Sequence, residues 1–180
     1  ELGGRIYRLP PITLSGLAAY RREVARFFDE HPECRLVHGH CSELGYWVYR
    51  EAAARNIPFI AAHAHSSPLG MDKNSLFRFL LKHLMRPYLT HRFTCNELCG
   101  RWLFGRKGMK DAVVVRNAID AGKFSYSPET RERVRREMGW EGKLVAGHTG
   151  NFSWPKNHEF LLRVFQAFLG LHPDSLLVLA

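Results

Sequence analysis

Several signatures that would assign a chemistry at once are missing from this chain. Neither Gly-x-Gly-x-x-Gly nor Gly-x-x-x-x-Gly-Lys-Ser/Thr occurs, which excludes the dinucleotide fingerprint and the P-loop as the basis of any nucleotide site. No apolar run approaches the roughly 18 residues of a membrane span, and the opening Glu1-Leu2-Gly3-Gly4-Arg5 carries neither a signal-peptide pattern nor an initiator Met. The chain reads as an excerpt of a longer protein. Cysteine is scarce: Cys34, Cys41, Cys95 and Cys99 form no Cys-x-x-Cys pair, so cytosolic thiols are expected in place of a disulfide framework. Cys95 and Cys99 stand one helical turn apart without a second close pair, and are read as packing residues ahead of metal ligands. Repeats and low-complexity segments are absent, and 46% apolar with 24% charged residues is a globular composition.

Positive charge is what the chain has in excess. The 26 basic and 17 acidic residues leave a formal charge of +9 over 180 residues, which favours anionic partners such as nucleotides, phospholipid surfaces or nucleic acid. The densest block argues against the last. Arg131, Arg133, Arg135 and Arg136 interleave with Glu132 and Glu137 over Glu129 to Met138, the pattern of a solvated helix face.

Hydrophobic periodicity predicts an α/β chain. Gly4 to Leu9 alternates loosely and suggests a short strand before Pro10-Pro11. Leu17, Tyr20, Val24, Phe27 and Phe28 fall at helical steps, with Thr13 or Ser15 as the cap and His31-Pro32 as the stop. Strands are expected at Arg35–His40, Pro58–His65, His91–Cys95 and Ala112–Val115, the last buried. Between them lie helices from Ser42 to Arg55, from Ser75 to Met85, and from Glu97 to Phe104 with Asn96 as N-cap and Gly105 as stop. Ser66 to Asn74 reads as a loop. The helix at 75–85 is apolar on most sides, which predicts burial. Its remaining stripe, Arg78, Lys82, His83 and Arg86, offers a second reading as a basic surface touching a membrane.

Two strands that each close in His-x-His, His38-Gly39-His40 and His63-Ala64-His65, flank one helix and predict a βαβ unit. Their histidines would sit at strand C-terminal ends, where open α/β sheets collect ligands. A metal there is conceivable, but no carboxylate beyond Glu43 and Asp72 stands ready to complete a site. A polar-ligand role is therefore preferred and no metal is expected.

The second chemistry-bearing stretch is Gly147 to His158, between a strand from Lys143 and an amphipathic helix, Glu159 to Leu169. Gly147 and Gly150 would let the backbone turn through φ > 0 and approach a ligand closely. Lys156 falls at the start of the helix, where a cation opposes the dipole unless it holds an anion. The strand-helix rhythm pauses over 121–142 and a new unit begins at Lys143, closing with a strand at Ser175 to Leu179. A lone βαβ unit of this size buries too little to stand as a domain, so further chain is expected.

With these residues assembled, the sequence resembles retaining glycosyltransferases of the GT-B fold, in the large family four grouping, nearest the transferases of capsular and exopolysaccharide synthesis. The resemblance is carried by Val37-His38-Gly39-His40; Ile60-Ala61-Ala62-His63-Ala64-His65; Thr94-Cys95-Asn96 leading to Trp102-Leu103-Phe104-Gly105; Arg116-Asn117-Ala118-Ile119-Asp120 with Lys123-Phe124; and Gly147 to Gly150 with Lys156-Asn157-His158. Their order and spacing agree along nearly the whole chain. The resemblance implies Rossmann-like parallel sheets. Residues 1–120 would be the later part of an N-terminal, acceptor-side domain incomplete at its start, 121–142 a linker and helix, and 143–180 the first βαβ unit of a nucleotide-sugar domain only begun.

By the same resemblance, His65 would be the catalytic histidine near the transferred sugar, with His40 and His63 as its acceptor-side neighbours. Gly150, Asn151 and Lys156 would lie at the donor diphosphate. The implied substrates are a nucleotide-diphosphate sugar and a saccharide or lipid-linked acceptor, with no cofactor and no nucleic acid. The implied location is cytoplasmic, with peripheral contact at the inner face of the membrane. Asn151 departs from the family, which has Arg there: an Asn donates a hydrogen bond but brings no charge and no bidentate fork. The family's paired glutamates lie beyond Ala180 and its first glycine loop before Glu1, so the chain alone is expected to be inactive. A truncated, non-catalytic relative that binds nucleotide or a partner is the alternative.

Overall fold

A computed structural model of the protein describes residues 3–13, 15–67 and 75–180. The chain divides into two compact units, Glu1–Ala118 and Ile119–Ala180.

In the first unit, helix α1 (Leu17–Glu30) buries Tyr20, Val24 and Phe28, one residue per turn. Thr13 does cap the turn ahead of it, since its Oγ1 accepts from the Gly16 amide at 3.0 Å. Strand β1 (Leu36–Gly39) leads through a 3₁₀ turn (Ser42–Gly45) into α2 (Tyr46–Ala54), and then into β2 (Phe59–Ala64). Helix α3 (Ser75–Leu84), β3 (His91–Thr94), α4 (Glu97–Met109) and β4 (Ala112–Val114) follow. The four strands are parallel in the order β1-β2-β3-β4. Strand order that follows chain order, with right-handed crossovers, puts the connecting helices on one face. That face carries the core: Ile60, Ala62 and Ala64 of β2 pack with Tyr46, Tyr49, Leu81, Met85, Leu103 and Phe104.

Close approach explains Gly39 and Gly45. A Cβ at either would run into the Tyr49 ring, and Tyr49 is fully buried. The glycine inside His38-Gly39-His40 thus serves helix packing on one face of β1, while the two histidines belong to the other.

Several expectations change. Residues 3–13 form no strand; Tyr7 instead packs edge-on against Phe27 with ring centroids 5.1 Å apart. The β4 end of the sheet is open, so Val113, Val114 and Val115 are exposed where burial was expected. Asn96 caps α4 as expected, accepting from the Cys99 amide at 2.9 Å, and Gly105 at φ 74° breaks that helix where a stop was read. All four cysteines are free thiols. The loop expected at Ser66 to Asn74 falls mostly on residues 68–74, outside the described residues.

Helix α3 overturns its expectation most clearly. Only Leu81 is buried within it, whereas Leu76, Phe77, Phe79, Leu80 and Leu84 are 41–72% exposed. The supposed outer stripe turns inward. Arg78 pairs with the buried carboxylate of Glu43, Lys82 donates to the Trp102 carbonyl at 3.2 Å, and Arg86 donates to the Leu103 carbonyl at 3.0 Å. The last contact places a cation at the end of the first half of α4, where the dipole favours it. Glu43, 1% exposed, is what draws Arg78 in, because a carboxylate that far from water must be paired.

The second unit holds a 3₁₀ turn at Ala121–Phe124, α5 (Pro128–Glu137), β5 (Leu144–His148), α6 (His158–Leu171) and β6 (Ser175–Leu179). Ser127 caps α5 by accepting from the Thr130 amide at 3.1 Å. The helix buries no residue, and its Arg133 pairs with Glu137 at 2.9 Å, as a solvated face should. β5 and β6 are parallel. No residue of α6 is buried.

Candidate functional site

Two sites are built on this frame, one in each unit. The first arises from parallel register. His38 pairs in register with Ala61, two residues before His63, and side chains on a strand repeat every second residue. His38, His40, His63 and His65 are thereby brought to one face, at the C-terminal ends of β1 and β2. The rings follow each other closely: His63 to His65 4.1 Å, His38 to His40 4.4 Å, His40 to His65 5.0 Å and His40 to His63 5.1 Å between centroids. His38 stacks on His63 at 5.3 Å, 2° from parallel. Phe93 of β3 closes the row, 5.2 Å from His38.

The four rings differ in surroundings. His40 Nδ1 and His65 Nε2 are 2.7 Å apart and share one hydrogen bond, so one of the two is the donor and the pair fixes both rings. His63 is 5% exposed, and neither of its ring nitrogens makes a hydrogen bond of ordinary geometry. Burial, then the neighbouring His65, His40 and His38, pushes its pKa down to about 4, the nearby Val115 backbone opposing slightly. Burial, then His40 and His65, holds His38 below the usual histidine range. Both rings are neutral at pH 7. A neutral imidazole presents one lone pair and one N–H group without positive charge.

Sequence reasoning found His65, His40 and His63, and the structure brings these three together. It also adds His38 to them as a full member. Its signal was present in the His-x-His spacing, but only the register with β2 makes the neighbour visible.

The second site follows β5. The backbone leaves the strand at His148, and the Gly150 amide donates to the Ala180 carbonyl at 2.9 Å. Neither Gly147 nor Gly150 has positive φ; that conformation belongs to Asn157, at φ 45° and ψ 51°. The expected left-handed glycine turn is therefore a left-handed asparagine, a residue type that tolerates this region because its side chain bonds locally. Here Asn157 Oδ1 accepts from the Phe160 amide at 3.3 Å and caps α6. Gly150 is needed for space: a Cβ there would press on the Lys156 stem at 3.2 Å and on His148 Nε2 at 3.3 Å.

Lys156 lies in a 3₁₀ turn (Trp154–Lys156) directly before the Asn157 cap. It is exposed, and among the described residues it has no acidic partner. Asn151 Oδ1 accepts from Ser153 Oγ at 2.7 Å, which leaves its amide N–H groups without a hydrogen bond to the described residues. His148 and His158 pack edge to face at 5.0 Å, and the Nε2 atom of each is buried without a partner. Both histidines lie in the stretches that carry the resemblance, but neither was named as a site residue, because only the fold brings their rings together. Gly150, Asn151 and Lys156 are all placed at this loop.

A separate cavity of about 430 Å³ lies against Asp29, Cys34, Arg55 and Asn56. It opens at the N-terminal ends of β1 and β2, the wrong end of a parallel sheet for a ligand site, and Arg55 there is committed to Asp29 and Glu51.

No family model matches the chain. A Bacillus subtilis (strain 168) protein named "Putative glycosyltransferase EpsF" is 27% identical over 170 residues, spanning 91% of this chain and 44% of that protein. Among solved structures, Anabaena HepE in complex with UDP-glucose superposes with a TM-score of 0.70 at 19% identity, over 93% of this chain and 44% of HepE. The Staphylococcus aureus MnaA–UDP structure gives 0.60 at 18% identity, over 94% of this chain and 47% of MnaA. The chain thus spans less than half the length of the relatives it matches. These likenesses bear out the α/β fold with Rossmann-like parallel sheets of the GT-B type, and the EpsF homology bears out the resemblance to glycosyltransferases.

Proposed function

We propose that the chain is the central part of a retaining glycosyltransferase that moves a sugar from a nucleotide-diphosphate donor to a saccharide or lipid-linked acceptor in surface polysaccharide synthesis. The observation that carries this reading is the anion-ready loop after β5: Lys156, without an acidic partner among the described residues, before the N-terminus of α6, with the Asn151 amide and loop backbone beside it. A leaving diphosphate gains negative charge in the transition state. Lys156, the loop amides and the positive end of α6 offset it, the electrostatic contribution that dominates such reactions. The loop does this without a metal ion or other cofactor. HepE with bound UDP-glucose supports the choice of donor class.

On the acceptor side, His65 touches the reacting sugar, with His40 orienting it through the 2.7 Å contact and His63 behind. Imidazole rings suit hydroxyl groups, with which they can exchange hydrogen bonds. For a lipid-linked acceptor, the exposed face of α3 supplies the membrane contact: Leu76, Phe77, Leu80 and Leu84 stand out from it. The contact proposed is peripheral, at the cytoplasmic face; no helix among the described residues is long and apolar enough to cross a membrane. Nucleic acid is not proposed as a partner: basic and acidic residues interleave along α5, and Arg133 pairs with its own Glu137.

The test is titration of the chain with UDP and UDP-sugars by calorimetry or ligand-observed NMR, comparing wild type with Lys156→Ala. Wild type should bind and the variant should bind at least about tenfold more weakly, for loss of a charge-assisted contact worth about 1.5–3 kcal/mol. Equal affinities would overturn the role of the loop. The alternative of a non-catalytic nucleotide-binding relative is favoured by Asn151, and full-length protein that binds donor but transfers no sugar would establish it.

A further inference from the structure

The histidine row has a property that donor and acceptor chemistry leaves unexplained. One ring nitrogen from each of His38, His40 and His63 lies within 4.8 Å of the others, and His63 is nine-tenths buried with neither ring nitrogen in a hydrogen bond of ordinary geometry. Buried polar atoms are nearly always satisfied, so lone pairs this enclosed ask for an electrophile.

We propose that His38, His40 and His63 form a binding site for a borderline-soft divalent transition cation, zinc in the first instance, with a fourth coordination position open to water or ligand. The inference rests on geometry and stands apart from the proposed sugar transfer. Imidazole nitrogens bind zinc at about 2.0–2.1 Å, which in a tetrahedron sets them about 3.4 Å apart. With His63 held in place, the nitrogens of the other two rings need to approach by up to about 1.4 Å from the present spacing. His38 and His40 are exposed and can turn about their side-chain bonds; the buried His63 is the fixed point.

The surrounding contacts have the form that metal sites use. A ligating histidine is held by a partner on its other nitrogen, and the bond between His40 Nδ1 and His65 Nε2 at 2.7 Å does this, leaving His40 Nε2 as its remaining donor. The His38 ring is held by stacking on His63 and by Phe93. Among the described residues the converging set contains no carboxylate. Hard cations such as Mg²⁺ and Ca²⁺, which take oxygen ligands, are thereby excluded in favour of metals that take nitrogen.

The test uses the 180-residue chain, freed of metal by chelator and dialysis, and titrated with Zn²⁺ by calorimetry and with Co²⁺ by visible absorption. One equivalent should bind, with the intense d–d bands of four- or five-coordinate cobalt. His38→Ala is the diagnostic variant because His38 is exposed and outside the core, and it should weaken binding at least about tenfold while the circular dichroism stays unchanged. His148→Ala, which removes one of the other buried histidine nitrogens, should bind like wild type. Absence of a stoichiometric site would overturn the proposal, as would wild-type affinity in His38→Ala or loss of binding in His148→Ala alone.

Discussion

One buried ion pair helps to set the orientation of α3, and its removal can be worked through. Arg78 Nε meets Glu43 Oε1, Glu43 is 1% exposed, and the Arg78 side chain is 31% exposed. The other carboxylate oxygen, Oε2, is already buried without a partner. Arg78→Met keeps the aliphatic bulk but strands the carboxylate, and breaking a buried pair from one side costs about 3–5 kcal/mol. Against a stability of about 5–15 kcal/mol for an ordinary domain, that is a large share. A unit of this size shifts in Tm by about 4 °C per kcal/mol, so the expected fall is roughly 12–20 °C. Glu43→Leu combined with Arg78→Met removes both charges and should recover most of the loss, because apolar replacement of a whole buried pair is often near neutral. Urea unfolding followed by tryptophan fluorescence, with Trp102 beside Arg78 at 5.8 Å, measures all three. A single-variant cost below about 1 kcal/mol, the value of a surface pair, would refute the view that Glu43 draws the cations of α3 inward.

Lys156→Arg, which keeps the charge, should retain nucleotide-sugar binding within a few fold where Lys156→Ala loses at least about tenfold, both read by calorimetry. Gly150→Val should also weaken donor binding, since even a Cβ meets the Lys156 stem at 3.2 Å, and the circular dichroism of the variant should match wild type. If α3 docks on lipid, Leu80→Glu should abolish co-sedimentation with anionic vesicles while leaving the unfolding midpoint unchanged, because Leu80 is 51% exposed. Arg55 holds the Asp29 carboxyl below the usual carboxylate range by hydrogen bonding. The stabilisation is therefore present above the ordinary carboxylate pKa and is lost as pH falls through the lowered one. Carboxyl NMR titration should place the Asp29 midpoint below that of a free aspartate, and the substitution Arg55→Asn should return it to the ordinary range.

Much of this protein was determined by local pattern. Alternation and helical spacing located α1, β2, α4, β5 and β6 to within a few residues, because each element buries or exposes a face whose period is written in its own residues. Asn96 announced its helix because a cap acts within three residues. The two His-x-His strands, the glycine loop and Lys156 were legible for the same reason, since each is a short motif with its chemistry in contiguous residues.

Only the tertiary structure decided what depends on a distant neighbour. Helix α3 has apolar residues on most of its surface, so its own sequence could not say which face turns in; a carboxylate 35 residues earlier settled it. The left-handed turn went to Asn157, whose side chain caps α6, and not to the glycines, and Gly150 leaves room beside Lys156. His38 became a neighbour of His63 only through the parallel register of β1 with β2. Periodicity fixes the face a side chain takes on its own strand, and the pairing of strands fixes whom it meets there.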